Sequence, residues 1–217
     1  MIALKIAGIY LAAGQSTRMG VSKVSRKLSL GVALGSVALA ELERCGLAPL
    51  VVVVRADDKL EWLPPEIGEP GARRTETCLT AHLGLSFSLR CGLNAVLPHD
   101  PDAVVVALAD QPFVTKDLVN RLIEAFRRTP GLDYAASSGN GTMMPPALFA
   151  RSVFPSLQQL DGDRGAGRIL NSSEFKGAVI EDDTPLFAMD ADTEGDFLNV
   201  QRQWLLQNTR QEDFTGK

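Results

Sequence analysis

The sequence predicts an α/β fold in which a mostly parallel sheet lies between two layers of helices. Apolar segments typical of buried strands alternate along the chain with segments typical of helices. The segment 50–55 also contains four consecutive valines, as expected for a parallel strand that is covered on both faces. We therefore expect a single domain over residues 1–217, with its core at about 5–208.

The predicted elements follow one another in a regular order. Strands are expected where short apolar runs end in turn residues, and helices where apolar residues recur on one face. Thr115 is suited to cap one helix, and Thr193 with Asp196 resembles a capping box at the start of another. The strands are predicted at 6–12, 50–55, 103–108, 132–136, 178–181 and 186–189, the helices at 36–45, at 86–97, from 115 and from 193, and loops at 64–71 and 139–146.

The composition excludes several classes of protein. The chain has 22 basic and 26 acidic residues, and the net charge of -4 argues against a general nucleic-acid-binding protein. We expect no membrane partner, because no apolar run is long enough to span a bilayer. The apolar start also lacks the basic segment and cleavage site of a secretion signal. Three cysteines without CxxC spacing are typical of reduced thiols, so we expect a cytoplasmic location.

A turn rich in small residues follows the first predicted strand. It reads Leu-Ala-Ala-Gly-Gln-Ser-Thr-Arg-Met-Gly over residues 11–20. Small residues let the backbone approach a ligand, and exposed amides in such a turn bind phosphate oxygens. Arg18 offers a planar fork of donors, and Lys23 or Lys27 offers a second positive charge. The spacing matches neither a P-loop nor a dinucleotide fingerprint, so an ordinary strand-to-helix turn is an equal alternative from the residues alone. The candidate nucleotide-binding residues in this region are Leu11, Ala12, Ala13, Gly14, Arg18, Lys23 and Lys27.

Carboxylates follow two of the predicted strands. Asp110 comes directly after 103–108, where open α/β sheets present their ligands. Asp190 and Asp192 follow 186–189. Magnesium prefers oxygen ligands and often takes one or two carboxylates together with substrate phosphates. All three are therefore candidate Mg²⁺ ligands, with Asp190 preferred to Asp192; the alternative role for Asp110 or Asp192 is to cap the helix that follows.

The turn at 11–20 resembles the signature of the MobA-like nucleotidyltransferases. It is most similar to that of the molybdenum cofactor cytidylyltransferases and the related purine-catabolism accessory proteins, and the resemblance spans roughly residues 6–200. Other similar segments are Asp-Gln-Pro from Asp110, Ser-x-Ser-Leu-Arg over 86–90 and Asp-x-Asp-Thr from Asp190. The resemblance implies a Rossmann-like fold in which Ser86 contacts base or ribose and Arg90 faces phosphate.

The resemblance also implies a reaction. A Mg²⁺-dependent enzyme would transfer CMP from CTP to the phosphate of molybdopterin and release pyrophosphate, with Arg18, Lys23 and Asp110 as the catalytic residues. Ala-Ala-Gly in the turn, rather than Ala-Gly-Gly, favours cytosine over guanine. A molybdenum hydroxylase such as xanthine dehydrogenase would receive the product.

Two alternatives stay open at this point. The enzyme could use GTP or another nucleotide on a different phosphorylated acceptor. It could also be a non-catalytic accessory protein that binds the cofactor for a molybdenum hydroxylase. The second alternative rests on residues 27–30, which lack the proline of the family pattern and leave Lys27 as the rival of Lys23.

Overall fold

The computed structural model describes residues 4–14, 22–29, 31–67, 70–139, 141–182 and 185–215. Its centre is a seven-stranded sheet. The strands are β1 (Ile6–Leu11), β2 (Leu50–Arg55), β3 (Arg73–Cys78), β4 (Ala103–Leu108), β5 (Tyr134–Gly139), β6 (Thr142–Ala150) and β7 (Gly177–Glu181). Their order across the sheet is β3-β2-β1-β4-β6-β5-β7. Of these described strands, β6 alone runs antiparallel to its neighbours.

Helices cover both faces of this sheet. They are α1 (Leu34–Glu43), α2 (Leu85–Val96), α3 (Lys116–Arg128), α4 (Phe154–Gln158), α5 (Gly167–Leu170) and α6 (Glu194–Thr215). Because successive strand residues point to opposite faces, Tyr10 packs with α1 and α3 while Ile9 packs with α2 and α4. The two cores confirm the predicted three-layer α/β fold with a mostly parallel sheet.

Close packing fixes α2 against the centre of the sheet. A methyl group added at Gly92 would lie 2.5 Å from Cγ2 of Ile9 and 2.9 Å from Cγ2 of Val53. The helix therefore rests directly on β1 and β2, and any side chain at Gly92 would push it away.

The strand order brings two distant turns together. β1 pairs in parallel with β2 on one side and with β4 on the other, and Leu11 is in register with Leu108. The turn that follows β1 and the turn that follows β4 consequently leave the sheet side by side at its carboxyl edge. Open α/β sheets bind ligands at such a point, where the chain leaves two neighbouring strands toward opposite edges of the sheet.

Most predicted elements are confirmed, with boundaries that differ by at most three residues. The strands 6–12, 50–55, 103–108, 132–136 and 178–181 correspond to β1, β2, β4, β5 and β7, and the predicted helices correspond to α1, α2, α3 and α6. Thr115 caps α3, since its hydroxyl accepts a hydrogen bond from the amide of Leu118 at 3.2 Å. Among the described residues, no helix combines the length and apolarity required to cross a bilayer.

The loop predicted at 139–146 is wrong, because most of it belongs to β6. The two prolines that suggested a loop lie where the β5–β6 register shifts: Ala136 pairs with Ala147, whereas Ser137 pairs with Met144. Pro145 and Pro146 are thus skipped by the ladder, which needs no amide hydrogen from either of them.

Two further differences have simple physical reasons. The predicted strand 186–189 is wrong, because residues Pro185–Ala188 form a 3-10 helix. A short apolar run fits either structure, and the 3-10 helix still buries Phe187 in the core. Strand β3 was not predicted, because it is a polar edge strand with only Cys78 buried. Its pairing with β2, rather than its own pattern, makes it a strand.

Candidate functional site

The turn after β1 starts inside the core and ends at the surface. Leu11, Ala12 and Ala13 are buried, and Gly14 is exposed. The amide of Ala12 donates to the carbonyl of Val53 at 2.8 Å, which extends the sheet ladder into the turn. Residues 15–21 lie outside the described residues, and this segment includes Arg18, so its predicted phosphate contact remains a prediction.

Lys23 connects the two predicted carboxylate sites. Its Nζ donates to Oδ2 of Asp110 at 2.6 Å and to Oδ1 of Asp192 at 2.7 Å. The side chains of Lys23 and Asp110 are 12% and 17% exposed, whereas that of Asp192 is 53% exposed. A side-chain carbon at Gly14 would lie 3.9 Å from Cε of Lys23. The first turn, the lysine and two of the predicted acidic residues therefore form one cluster at the carboxyl edge.

The charges in this cluster shift one another's pKa values. Burial of the Lys23 ammonium alone would lower its pKa, but the charges and hydrogen bonds of Asp110 and Asp192 outweigh burial and raise it. Partial shielding from water raises the pKa of Asp190, and the negative charges of Asp192 and Asp110 raise it further. Burial, followed by the charge of Asp110, raises the pKa of Tyr10. The cluster thus holds excess negative charge, which favours a bound cation.

The start of α6 sets the position of Asp192. Asp190 and Asp192 flank Ala191, which is fully buried in a small apolar cluster with Phe113 and Phe197. The next residue, Thr193, forms the predicted capping box. Its amide and hydroxyl both donate to Oδ2 of Asp196, and the amide of Asp196 donates to its hydroxyl. Asp192 is therefore held between a buried anchor and a helix cap.

A second contact joins the segment around Lys23 to α6. Arg26 donates to both carboxylate oxygens of Glu194, at 2.5 and 2.8 Å. Its guanidinium also lies over the ring of Phe197, 3.6 Å from the centroid. This contact brings the two chain segments that supply Lys23 and Asp192 close together. Sequence reasoning missed Arg26, whose partners lie far away along the chain.

The oxygen donors at this edge suit a divalent metal. The carboxylates of Asp110 and Asp192 converge on a single cationic nitrogen, and Mg²⁺ often takes two carboxylates together with substrate phosphates. In the described part of the chain, no group of three or more His, Cys, Asp and Glu residues forms a complete metal site. Asp190 is exposed and remains a predicted ligand.

A polar cavity of about 640 Å³ opens beside the cluster. It lies between the 3-10 turn Lys23–Ser25 and the carboxyl end of β2. Its lining is formed by Ser22, Ser25, Arg26, Arg55, Asp57, Asp58, Lys59 and Glu61. This volume is in the range of small-molecule sites. Among the described residues, the cavity is lined by neighbours of Lys23 along the chain and not by Lys23, Asp110 or Asp192 themselves.

Lys27 occupies a different place from Lys23. It is exposed, its backbone pairs with Ala33, and its carbonyl accepts a hydrogen bond from Nε2 of Gln201 at 3.4 Å. The backbone of Lys27 thus helps to join this segment to α6. Of the two predicted lysines, it is Lys23 that reaches the carboxylates.

Ser86 and Arg90 are both on α2 but in different surroundings. Ser86 is buried in the first turn of the helix, and within the described part of the chain its hydroxyl has no hydrogen-bond partner. Arg90 lies over the ring of Phe87, 4.2 Å from the centroid, beside a cavity that Asn94 and Gln158 also line. As far as the described residues show, that cavity shares no lining residue with the Lys23 cluster. The phosphate contact of Arg90 therefore remains a prediction.

Gln111 is a second residue that sequence reasoning missed. It directly follows Asp110, it is 4% exposed, and its Oε1 has no hydrogen-bond partner among the described residues. A buried amide oxygen without a donor is costly, by about 1–3 kcal/mol. Its place in the Asp-Gln-Pro segment was the available signal.

Comparison with known proteins identifies the family. Residues 8–177 match the MobA-like NTP transferase domain, so the chain belongs to this family of nucleotidyltransferases. It is 34% identical over 179 residues to the purine catabolism protein PucB of Bacillus subtilis, covering 80% of this chain and 85% of that protein. It is 31% identical over 175 residues to a molybdenum cofactor guanylyltransferase of Mesorhizobium japonicum, covering 80% and 81%.

Solved structures agree with this assignment of the fold. A homologue of Mycobacterium tuberculosis Rv0371c from Mycobacterium sp. strain JC1 has a TM-score of 0.76 at 27% identity, covering 94% of this chain and 98% of that one. Rv0371c itself, in a complex with manganese, has a TM-score of 0.71 at 21% identity, covering 91% and 98%. The mixed sheet with flanking helices is therefore a Rossmann-like nucleotidyltransferase fold.

Proposed function

We propose that this family member transfers CMP from CTP to the terminal phosphate of molybdopterin and releases pyrophosphate. The observation that carries the proposal is the contact of Lys23 with Asp110 and Asp192, at 2.6 and 2.7 Å, beside the glycine turn after β1. Cationic and metal-ligating groups meet there at the edge where such sheets bind nucleotides.

The main task of the chain in this reaction is to offset negative charge. A triphosphate and a phosphate monoester repel each other, and the attacking monoester is already largely ionised near neutral pH because its second pKa is about 6. No strong general base is therefore required. We assign Lys23 and Arg18 to the phosphates, where they would orient the triphosphate and stabilise charge on the leaving group.

The proposed chemical step exchanges one phosphorus–oxygen bond for another. An oxygen of the acceptor phosphate attacks the α-phosphorus of the nucleotide, and the bond from the α-phosphorus to the bridging oxygen breaks. That oxygen leaves with the β- and γ-phosphates as pyrophosphate. The product carries a new diphosphate linkage between acceptor and nucleoside.

We assign the metal to Asp110 and Asp192, with Asp190 as a further candidate. A bound Mg²⁺ would offset charge on the phosphate oxygens and orient them. The convergence of two carboxylates on one cation supports this assignment, as does the structure of Rv0371c in a complex with manganese.

The base is the least constrained part of the proposal. The Ala12-Ala13-Gly14 turn favours CTP. The relative named as a molybdenum cofactor guanylyltransferase favours GTP, which is the second candidate. The purine catabolism relative supports a molybdenum hydroxylase such as xanthine dehydrogenase as the recipient of the product. We also propose a cytoplasmic location, in keeping with three unpaired thiols.

The test is pyrophosphate release by the full chain with each of the four nucleoside triphosphates, with Mg²⁺ and molybdopterin present. Release with CTP alone is the expected result. Release with GTP alone would keep the reaction and replace the base. No release with any nucleotide, although molybdopterin binds, would favour the non-catalytic accessory protein.

A further inference from the structure

We propose that Lys23 occupies the cation position between Asp110 and Asp192 in the metal-free protein, and that a divalent metal has to displace it. The inference rests on the proposed function in taking these carboxylates as metal ligands. It adds a competition between an internal ammonium and the metal, which makes binding of the metal weak until Lys23 has another partner.

The first support is the geometry of the contact. Nζ of Lys23 lies at hydrogen-bond distance from two carboxylates that are 87 and 169 residues away along the chain. The lysine side chain is 12% exposed. The ammonium is therefore in place between two acidic groups, and is held there by charge-assisted hydrogen bonds rather than lying on the surface.

The second support is charge. Mg²⁺ binds oxygen ligands at about 2.1 Å. A divalent ion on the same two carboxylates would consequently come within a few ångströms of the ammonium. Like charges at such a distance repel strongly where water is scarce. The carboxylate oxygens that accept hydrogen bonds from Lys23 would also have to coordinate the metal. Joint occupancy is therefore unfavourable, and one cation excludes the other.

The third support is that the ammonium of Lys23 can move away from the carboxylates. Its Cε lies next to Gly14, where an added side-chain carbon would be in van der Waals contact at 3.9 Å, so the side chain starts beside the exposed end of the turn after β1. The flexible stem of lysine allows its ammonium to move several ångströms while its backbone stays in the 3-10 turn. Phosphates bound at that turn would accept the released ammonium. The same lysine thus neutralises the acidic pair before substrate binds and the phosphates afterwards.

The inference predicts that metal and nucleotide bind together rather than independently. Without nucleotide, the metal must break two charge-assisted hydrogen bonds that nothing replaces. With nucleotide, the phosphates replace them and also provide ligands to the metal. Asp110 and Asp192 then become available at the moment when the substrate arrives.

The experiment measures Mn²⁺ binding to the full chain without nucleotide, by the loss of the free-ion EPR signal. Lys23→Met removes the ammonium and keeps the apolar stem, and Lys23→Arg keeps the charge. Lys176→Met is the matched control, because Lys176 is an exposed lysine just before β7. Melting temperatures with and without Mn²⁺ verify folding and provide a second reading of binding, and Lys23→Gln replaces Lys23→Met if the latter does not fold.

The expected result is that Lys23→Met binds Mn²⁺ on the order of tenfold more tightly than wild type. Mn²⁺ should also raise the melting temperature of Lys23→Met by more than it raises that of the wild type. Lys23→Arg and Lys176→Met should bind like wild type. Unchanged or weaker binding by Lys23→Met would overturn the competition and indicate that the lysine instead organises the carboxylates for the metal.

This test and the test of the proposed function fail separately. If wild type releases pyrophosphate but Lys23→Met does not tighten Mn²⁺ binding, the transferase stands and the competition falls. If Lys23→Met tightens Mn²⁺ binding while wild type releases no pyrophosphate with any nucleotide, the competition stands and the proposed reaction falls.

Discussion

Two buried ion pairs in this protein have the same length but different surroundings. The Lys23–Asp110 and Arg73–Glu43 pairs both have a nitrogen–oxygen distance of 2.6 Å, and both basic side chains are 12% exposed. Arg73 also donates to the carbonyl of Pro64 at 2.8 Å. The second carboxylate oxygen of Glu43 accepts from the amide of Ile67 at 3.0 Å. This pair is bonded on all sides by α1, β3 and the loop between β2 and β3.

The Lys23–Asp110 pair is completed by a different kind of partner. Lys23 of this pair also contacts Asp192, a half-exposed carboxylate at the carboxyl edge of the sheet. A polar cavity lies beside it. The comparison teaches that burial alone does not separate a structural ion pair from a functional one. What differs is whether the remaining partners lie inside the fold, as for Arg73 and Glu43, or include a half-exposed carboxylate, as for Lys23.

The largest effect is expected from Asp110→Asn. The substitution keeps the shape of the side chain but removes the charge shared by Lys23 and the proposed metal, so we expect pyrophosphate release to fall on the order of 10³-fold. The melting temperature should change little. Asp100→Asn is the matched control, because Asp100 is exposed and precedes β4 at the opposite edge. Full turnover by Asp110→Asn would show that the Lys23–Asp110 pair does not serve the reaction.

Glu43→Gln should lower the stability of the protein and leave pyrophosphate release unchanged, which is the reverse of what we expect for Asp110→Asn. It leaves the Arg73 charge buried without its counterion, and breaking such a pair costs about 3–5 kcal/mol, of which the retained amide should spare part. Urea unfolding measures the change in the free energy of unfolding. The folded fraction should release pyrophosphate at the wild-type rate. A loss of turnover without a loss of stability would mean that this pair also serves the site.

Asp192→Asn tests the exposed member of the cluster. Because its carboxylate is 53% exposed, water can replace part of what it contributes. We expect turnover to fall about tenfold, which corresponds to about 1.4 kcal/mol in the activation free energy. The steady-state rate at saturating nucleotide and Mg²⁺ measures it. A loss as large as that of Asp110→Asn would make the two carboxylates equivalent.

Thr193→Ala should have the smallest effect. It removes the hydroxyl that accepts from the amide of Asp196 at 3.2 Å, and loss of such a helix cap costs about 1 kcal/mol. The urea midpoint measures this loss, and a slight decrease in turnover should accompany it because the cap holds the chain next to Asp192. Thr193→Ser retains the hydroxyl and should match wild type. Equal loss in both variants would show that the methyl group, rather than the cap, matters.

The sequence by itself determined the elements whose signal is local. Four consecutive valines in β2 and the amphipathic pattern of α3 specify buried strand and surface helix without reference to any distant residue. It also determined that Asp110 follows a buried strand, since the apolar run ends there. The capping box at Thr193 is likewise specified by four consecutive residues. The signature turn was enough to name the family.

Only the tertiary structure decided which of these residues meet. Strand β3 has no apolar pattern and exists because β2 offers it an edge, and β6 tolerates two prolines because the ladder skips them. Of the two candidate lysines, Lys23 contacts Asp110 and Asp192, which lie 87 and 169 residues away along the chain. The reason is physical: a local pattern fixes what a segment buries, whereas the order of strands and the packing of helices fix which charges that segment finds at its ends.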